Sequence, residues 1–168
     1  MIRVIVSEVQ IDVATEMAMI EGSAGAVATF TGLVRADDGV SVLDLEHYPG
    51  ATEAALVRLA NVATSRWSLC AATIVHRVGP MAPGERIVFV GASAAHRGAA
   101  LEACTYLIDR LKTDAPFWKR ETRGMASNWV EPRDSDDAAA ARWTPINPPL
   151  EGEVAVASAT DGGVSRSR

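Results

Sequence analysis

Lysine is almost missing from this chain. Of sixteen basic side chains in 168 residues, fourteen are arginine and two are lysine, Lys112 and Lys119. Cysteine is equally scarce: Cys70 and Cys104 stand alone, with no Cys-x-x-Cys, which excludes a disulfide framework and fits a reducing compartment. Both read as small buried hydrophobes. There is no basic run or stripe, and a formal net charge of -5 with a pI near 5.2 argues against a general nucleic-acid or membrane-surface binder. No apolar run approaches membrane-spanning length. The start, Met1 to Val6, is strand-like with Arg3 inside it and Glu8 after it, unlike a basic segment leading into an apolar signal core, so a cytoplasmic protein is expected. The three histidines, His47, His76 and His96, lack ligand spacing such as His-x-x-x-His, and no metal or other cofactor is expected.

What the chain has is 48% hydrophobic residues, mostly alanine, valine and leucine, enough for a real core. Residues 1–143 read as one α+β domain. From Thr144 the composition turns to Pro, Gly, Ser and Ala with scattered charge, so 144–168 reads as a disordered tail. Residues 2–6 read as a strand, and Asp12 can cap a helix to about Ile20. Ala26 to Val34 and Ser41 to Tyr48 read as a hairpin turning at Ala36-Asp37-Asp38-Gly39, with Arg35 at its mouth. Thr52 can cap a packing helix that reaches Arg66. Cys70 to Val78 and Arg86 to Val90 read as apolar strands, and His76 and Arg77 at the end of the first as structural.

Ser93 can cap a long helix, about Ala94 to Thr113, in which Leu101, Cys104, Ile108 and Leu111 recur at helical spacing. His96 and Arg97 fall in its first turn. The unpaired amides and the dipole of a helix start favour an anion, and a guanidinium beside an imidazole strengthens that; two exposed polar residues are an equally good reading.

The lysines flank a bend. Pro116 has no amide proton and pushes Ala115 out of the helical region, so the helix carrying Lys112 must stop there. Phe117 and Trp118 then favour a strand that carries Lys119, and the aromatic pair reads as core. The turn can fold both amines toward one pocket, where two ammonium groups lower each other's proton affinity and a neutral amine becomes available for acid–base work. Thr122 to Ser127 and Asn128 to Glu131 complete a second hairpin, Arg133 follows Pro132 as a further cation at a strand end, and Ser135 can cap a brief helix closed by Trp143. At about 1.5 Å per residue, His96 and Lys112 lie roughly 24 Å apart along one helix. A small metabolite cannot span that distance, so if both ends serve one substrate the site lies across a homodimer interface.

With these pieces placed, residues 25–143 resemble the catalytic large subunit of molybdopterin synthase, the MoaE family. The resemblance is carried by Thr29-Phe30-Thr31-Gly32-Leu33-Val34-Arg35, Leu45-Glu46-His47-Tyr48-Pro49-Gly50, His76-Arg77-Val78-Gly79 and Ala95-His96-Arg97. Leu111-Lys112-Thr113, then Ala115-Pro116-Phe117-Trp118-Lys119-Arg120-Glu121, Trp129-Val130-Glu131 and Ala141-Arg142-Trp143 complete it. It implies an α/β-hammerhead fold with an added β-hairpin subdomain. It also implies an activity: two sulfurs move from the C-terminal Gly-Gly thiocarboxylate of a small ubiquitin-like subunit to cyclic pyranopterin monophosphate, forming the molybdopterin dithiolene. A central dimer of large subunits would carry one small subunit at each end.

By the same resemblance Lys112 and Lys119 are the essential lysines, with Lys112 nearest the thiocarboxylate. Arg35, His96, Arg97 and Arg133 match substrate- and phosphate-holding positions, Leu33 and Val34 precede the first of them, and Arg120 and Glu121 flank the second lysine. Leu33 departs from the family, many members of which carry lysine there. Both implied reactants are anions, so concentrated positive charge inside an acidic protein suits them. Competing readings are a Schiff-base aldolase or decarboxylase acting through Lys119, and a noncatalytic paralogue that scaffolds the ubiquitin-like subunit.

Overall fold

Two four-stranded sheets organise the chain. The computed structural model describes residues 1–22, 24–130 and 134–143, so Arg133 and the tail 144–168 lie outside the described residues. The first sheet has the order β1-β4-β6-β2 and is built from β1 (Ile2–Ser7), β4 (Ala71–Arg77), β6 (Arg86–Ala94) and β2 (Ala26–Leu33). β1 and β4 run parallel, and the other pairs are antiparallel. All seven residues of β4 are buried, as a central strand covered on both faces must be.

Helices α2 (Ala51–Trp67) and α3 (Arg97–Asp114) cover one face, packing Leu56, Leu59, Ala60 and Ala63 with Ala100, Ala103, Cys104, Leu107 and Leu111 over Ala72, Ile74, Val90 and Ala92. The alanines explain the close approach of helix to sheet: small side chains let backbones come near, and each apolar surface leaves water. Helix α1 (Val13–Glu21) covers the opposite face with Ile11, Val13 and Met17 against Val75 and Phe89. Asp12 caps it, accepting from the amides of Ala14 at 3.1 Å and Thr15 at 3.3 Å. Buried Glu16 takes a two-point ion pair from Arg3 of β1, at 2.8 and 3.0 Å.

The second sheet has the order β5-β3-β7-β8, from β5 (Gly79–Met81), β3 (Val42–His47), β7 (Phe117–Arg123) and β8 (Ala126–Val130). Its core is small: Val34, Leu43, Leu45 and Met81. Helix α4 (Asp134–Ala141) follows and packs on α3. The chain is thus α+β, and β7–β8 forms the added hairpin, turning at Gly124, whose φ of +57° suits glycine.

Several local expectations are corrected. The segments 26–34 and 41–48 are not a hairpin: β2 pairs with β6 in the first sheet, while β3 pairs with β5 and β7 in the second. Strand period cannot reveal which partner offers the larger buried face. Ser93 does not cap α3, because β6 runs on to Ala94 and buries Ser93; the N-cap is His96, without a side-chain bond. Thr52 is not a cap either. Gly50 begins α2, and the Glu53 carboxylate accepts its amide at 2.6 Å. Leu101 is 58% exposed, so the buried stripe of α3 is the alanine-rich one beside it. Trp118 is likewise exposed, as is Cys70; only Phe117 and Cys104 pack inward, and burial pushes the Cys104 thiol up to about 11.

Candidate functional site

The bend between the lysines is held by side chains as well as by proline. Helix α3 ends at Asp114, and Ala115 takes an extended backbone, as the proline after it demands. The Phe117 amide donates to the Ala115 carbonyl at 3.0 Å around Pro116, a tight three-residue turn. Thr52 locks that turn to the start of α2: its hydroxyl donates to the Pro116 carbonyl at 3.1 Å and accepts the Tyr48 amide at 3.2 Å. Directly after the bend, the Phe117 ring stacks on His76 at 4.0 Å and 18°. His76 is wholly buried, and its Nδ1 donates to the Arg77 carbonyl at 2.8 Å. Burial pushes the imidazole down to about 4, so it is neutral at physiological pH.

Strand alternation then sorts the candidate residues by face. Lys119 lies opposite Leu45 and Glu121 opposite Leu43, so both share the inner face of the second sheet. Lys119 Nζ is 2.6 Å from Glu121 Oε1, and Arg123, two residues further on, donates to Glu121 Oε2 at 2.6 Å. Glu121 is therefore a buried carboxylate clamped by two cations, and the Lys119 hydrogen bond, ahead of the Arg123 charge, holds it below its usual range. Arg120 points the other way. It pairs with Asp44 at 2.5 Å and lies over the Trp129 ring at 5.2 Å, on the outer face with Trp118. Arg120 and Lys119 thus lie on opposite faces of the sheet.

Lys112, on the last turn of α3, donates to Asp136 of α4 at 3.0 Å. The sequence reading paired amine with amine; the fold gives each amine its own carboxylate. Neither Glu121 nor Asp136 was assigned that role from sequence, although the i, i+2 spacing of Lys119 and Glu121 on a strand was a usable signal. Asp136 was not readable, since only the packing of α4 on α3 brings it there.

The remaining candidates are placed as follows. His96 and Arg97 are exposed at the far end of α3 from Lys112, as the helix length required. Arg35 is exposed and holds Asp37 at 3.1 Å, Val34 is buried in the second core, and Leu33 is half exposed. Leu33 borders a cleft of about 360 Å³ with Gln10, Ile11, Arg77, Glu85 and Arg86. Arg77, read as structural, is buried and pairs with Glu85 at 3.2 Å. Arg133 lies outside the described residues. Among the described residues no cluster of His, Cys, Asp or Glu could hold a metal ion, and no helix is long and apolar enough to cross a membrane.

Comparison with known proteins places these features in one family. Residues 6–114 match the family model described as MoaE protein. The chain is 56% identical over 122 residues to the molybdopterin synthase catalytic subunit of Yersinia pestis, covering 71% of this chain and 81% of that one. It is 49% identical over 146 residues to the subunit of the same name from Vibrio cholerae, covering 84% and 97%. Among solved structures, the molybdopterin biosynthesis MoaE protein of Burkholderia ambifaria superposes with a TM-score of 0.74 at 44% identity, covering 85% of this chain and 98% of that one. A family model that matches more than half of the chain, with relatives at about half identity, shows that this chain belongs to the MoaE family.

Proposed function

We propose that this chain is the catalytic subunit of a molybdopterin synthase, a sulfurtransferase of molybdenum cofactor biosynthesis that works in the cytoplasm. It takes sulfur from the C-terminal thiocarboxylate of a small ubiquitin-like carrier and delivers two sulfurs to cyclic pyranopterin monophosphate, forming the dithiolene. The observation that carries this reading is the placement of the two lysines. In a chain about half identical to subunits of that name, the only two lysines flank one bend, which Pro116 and Thr52 hold in shape.

The residues have distinct tasks in this reading. Lys112 and Lys119 attract the two anionic reactants and move protons as the cyclic phosphate opens and each sulfur adds. Glu121 fixes the Lys119 amine on the inner face of its sheet. His96, Arg97 and Arg133 hold the phosphate, and because His96 and the adjacent Arg97 lie about 24 Å from Lys112 along α3, those two come from the second protomer. The working assembly is then a homodimer of this chain with a carrier subunit bound to each protomer. No nucleic acid, membrane or cofactor takes part. Retention of both lysines disfavours a scaffold without catalysis.

The test supplies the purified chain with a thiocarboxylated carrier and the cyclic pterin and measures dithiolene formation. Dithiolene that appears only when all three are present supports the reading. Carrier binding with no product would leave the scaffold reading in its place.

A further inference from the structure

Lysine on a four-carbon stem has many rotamers, and a half-exposed one reaches a defined point only if something holds its end. Lys112 is such a residue, with 49% of its side chain exposed. Its ammonium has one carboxylate partner among the described residues, Asp136 at 3.0 Å. Asp136 is itself only 26% exposed and belongs to a different helix, so its position depends on how α4 is docked.

That docking is specific. Ala140 is buried, Trp143 packs against the main core, and Asp109, one turn before Lys112 on α3, accepts from both residues that follow α4: Arg142, and the Trp143 indole at 2.7 Å. The Trp143 ring stands edge-on to Tyr106 at 5.5 Å and to Trp67 at 5.9 Å, with the Arg66 guanidinium 5.7 Å above it. Two aromatics and a cation from α2 and α3 thus clamp Trp143 just past the end of α4, while the first turn of that helix presents Asp136 to the lysine.

We propose that Asp136 is a positioning residue for the sulfur-transfer reaction, and that α4 is the arm that delivers it. Its carboxylate holds the Lys112 amine at the reach needed by the incoming thiocarboxylate, and the Asp109–Trp143 anchor fixes the carboxylate. The inference rests on the reading of Lys112 as a catalytic lysine. A purely structural ion pair this exposed contributes little to stability, so the two roles separate cleanly in experiment.

The experiment uses the full chain with its thiocarboxylated carrier and measures kcat, the KM for the carrier and the melting temperature. Asp136→Asn is expected to lower kcat roughly 3- to 10-fold with KM within about twofold and the melting temperature unmoved. Asp136→Glu should recover most of the rate, and Asp109→Asn, which loosens the anchor, should lower kcat in the same way without touching the ion pair. Wild-type kcat in Asp136→Asn, or a loss that only follows a lower melting temperature, would overturn the proposal. Lys112→Ala separates the two claims: an active Lys112→Ala removes the reading of the lysine and this inference with it, whereas an inactive one beside a fully active Asp136→Asn removes the inference alone.

Discussion

His76 and Phe117 stack with ring centroids 4.0 Å apart, joining the end of β4 in the first sheet to the start of β7 in the second, two residues before Lys119. The histidine, read from sequence as structural, thereby becomes the support on which the lysine strand leaves the bend. It also carries a pH dependence. Its imidazole titrates at about 4 in the folded protein against 6.5 in an unfolded chain, so protons bind preferentially to the unfolded state between those values. Stability is fully present above pH 6.5 and falls as pH drops toward 4, by a loss on the order of 3 kcal/mol from this residue. Denaturant midpoints at pH 7 and pH 4.5 should show a smaller gap in His76→Asn, which keeps a donor near the Nδ1 position; an equal gap would assign the acid sensitivity elsewhere.

Lys119→Arg should abolish most activity while leaving the fold intact. Arginine can keep an ion pair with Glu121 but cannot release a proton near neutral pH. A fall in kcat of at least about 100-fold with an unchanged melting temperature is expected. Turnover at the wild-type rate would show that charge alone suffices.

Glu121 sits between Lys119 and Arg123 with 8% of its surface exposed. Glu121→Gln leaves two cations facing each other, and a cost of about 1–3 kcal/mol is expected after allowance for the partial exposure of both partners. Because the folded-state titration lies below the usual carboxylate range, the stability supplied by the wild-type carboxylate is present above that range and lost as pH falls through the folded value. Urea titrations of both proteins should therefore converge in acid and diverge at neutral pH.

Gly25 has no room for a side chain: a Cβ there would stand 2.3 Å from the carbonyl oxygen of Ala95, the residue before His96 and Arg97. Backbone cannot swing aside as a side chain can. Gly25→Ala should cost about 1–3 kcal/mol and, by displacing the start of α3, raise the KM for the phosphorylated substrate more than it lowers kcat. A melting temperature equal to wild type would contradict the packing described.

Mixing an Arg97→Ala chain with a Lys119→Ala chain tests the shared site. If the two ends of α3 serve one substrate across a dimer, the mixture regains one intact site per mixed dimer, and activity returns to about a quarter of the wild-type level from statistical exchange. Two inactive proteins that stay inactive when mixed would place both residues in one protomer's site or in none.

Much of the site was legible because its signals are local. The rarity of lysine marked the stretch, proline dictated where α3 ends, and the aromatic pair Phe117-Trp118 predicted the strand that carries Lys119; all three are properties of neighbouring residues. The faces of that strand follow in principle from the two-residue period of any strand, yet the inner one was identified only once Leu43 and Leu45 of β3 were seen opposite Glu121 and Lys119. Sheet membership was not legible. β2 and β3 look like a hairpin in sequence, but β2 pairs with β6 and β3 with β7 and β5, partners far along the chain that a strand's own two-residue period does not name.

The sequence by itself determined where the candidate residues stand: two lysines around a bend, a histidine and an arginine at one helix start, and motifs specific enough to indicate a family. Tertiary structure alone decided what Lys112 touches and what holds the bend. Asp136 reaches Lys112 from 24 residues away because α4 docks on α3, and Thr52 reaches Pro116 from 64 because α2 and α3 bury their apolar faces against one sheet. No local rule encodes that meeting, since it depends on packing summed over the whole core.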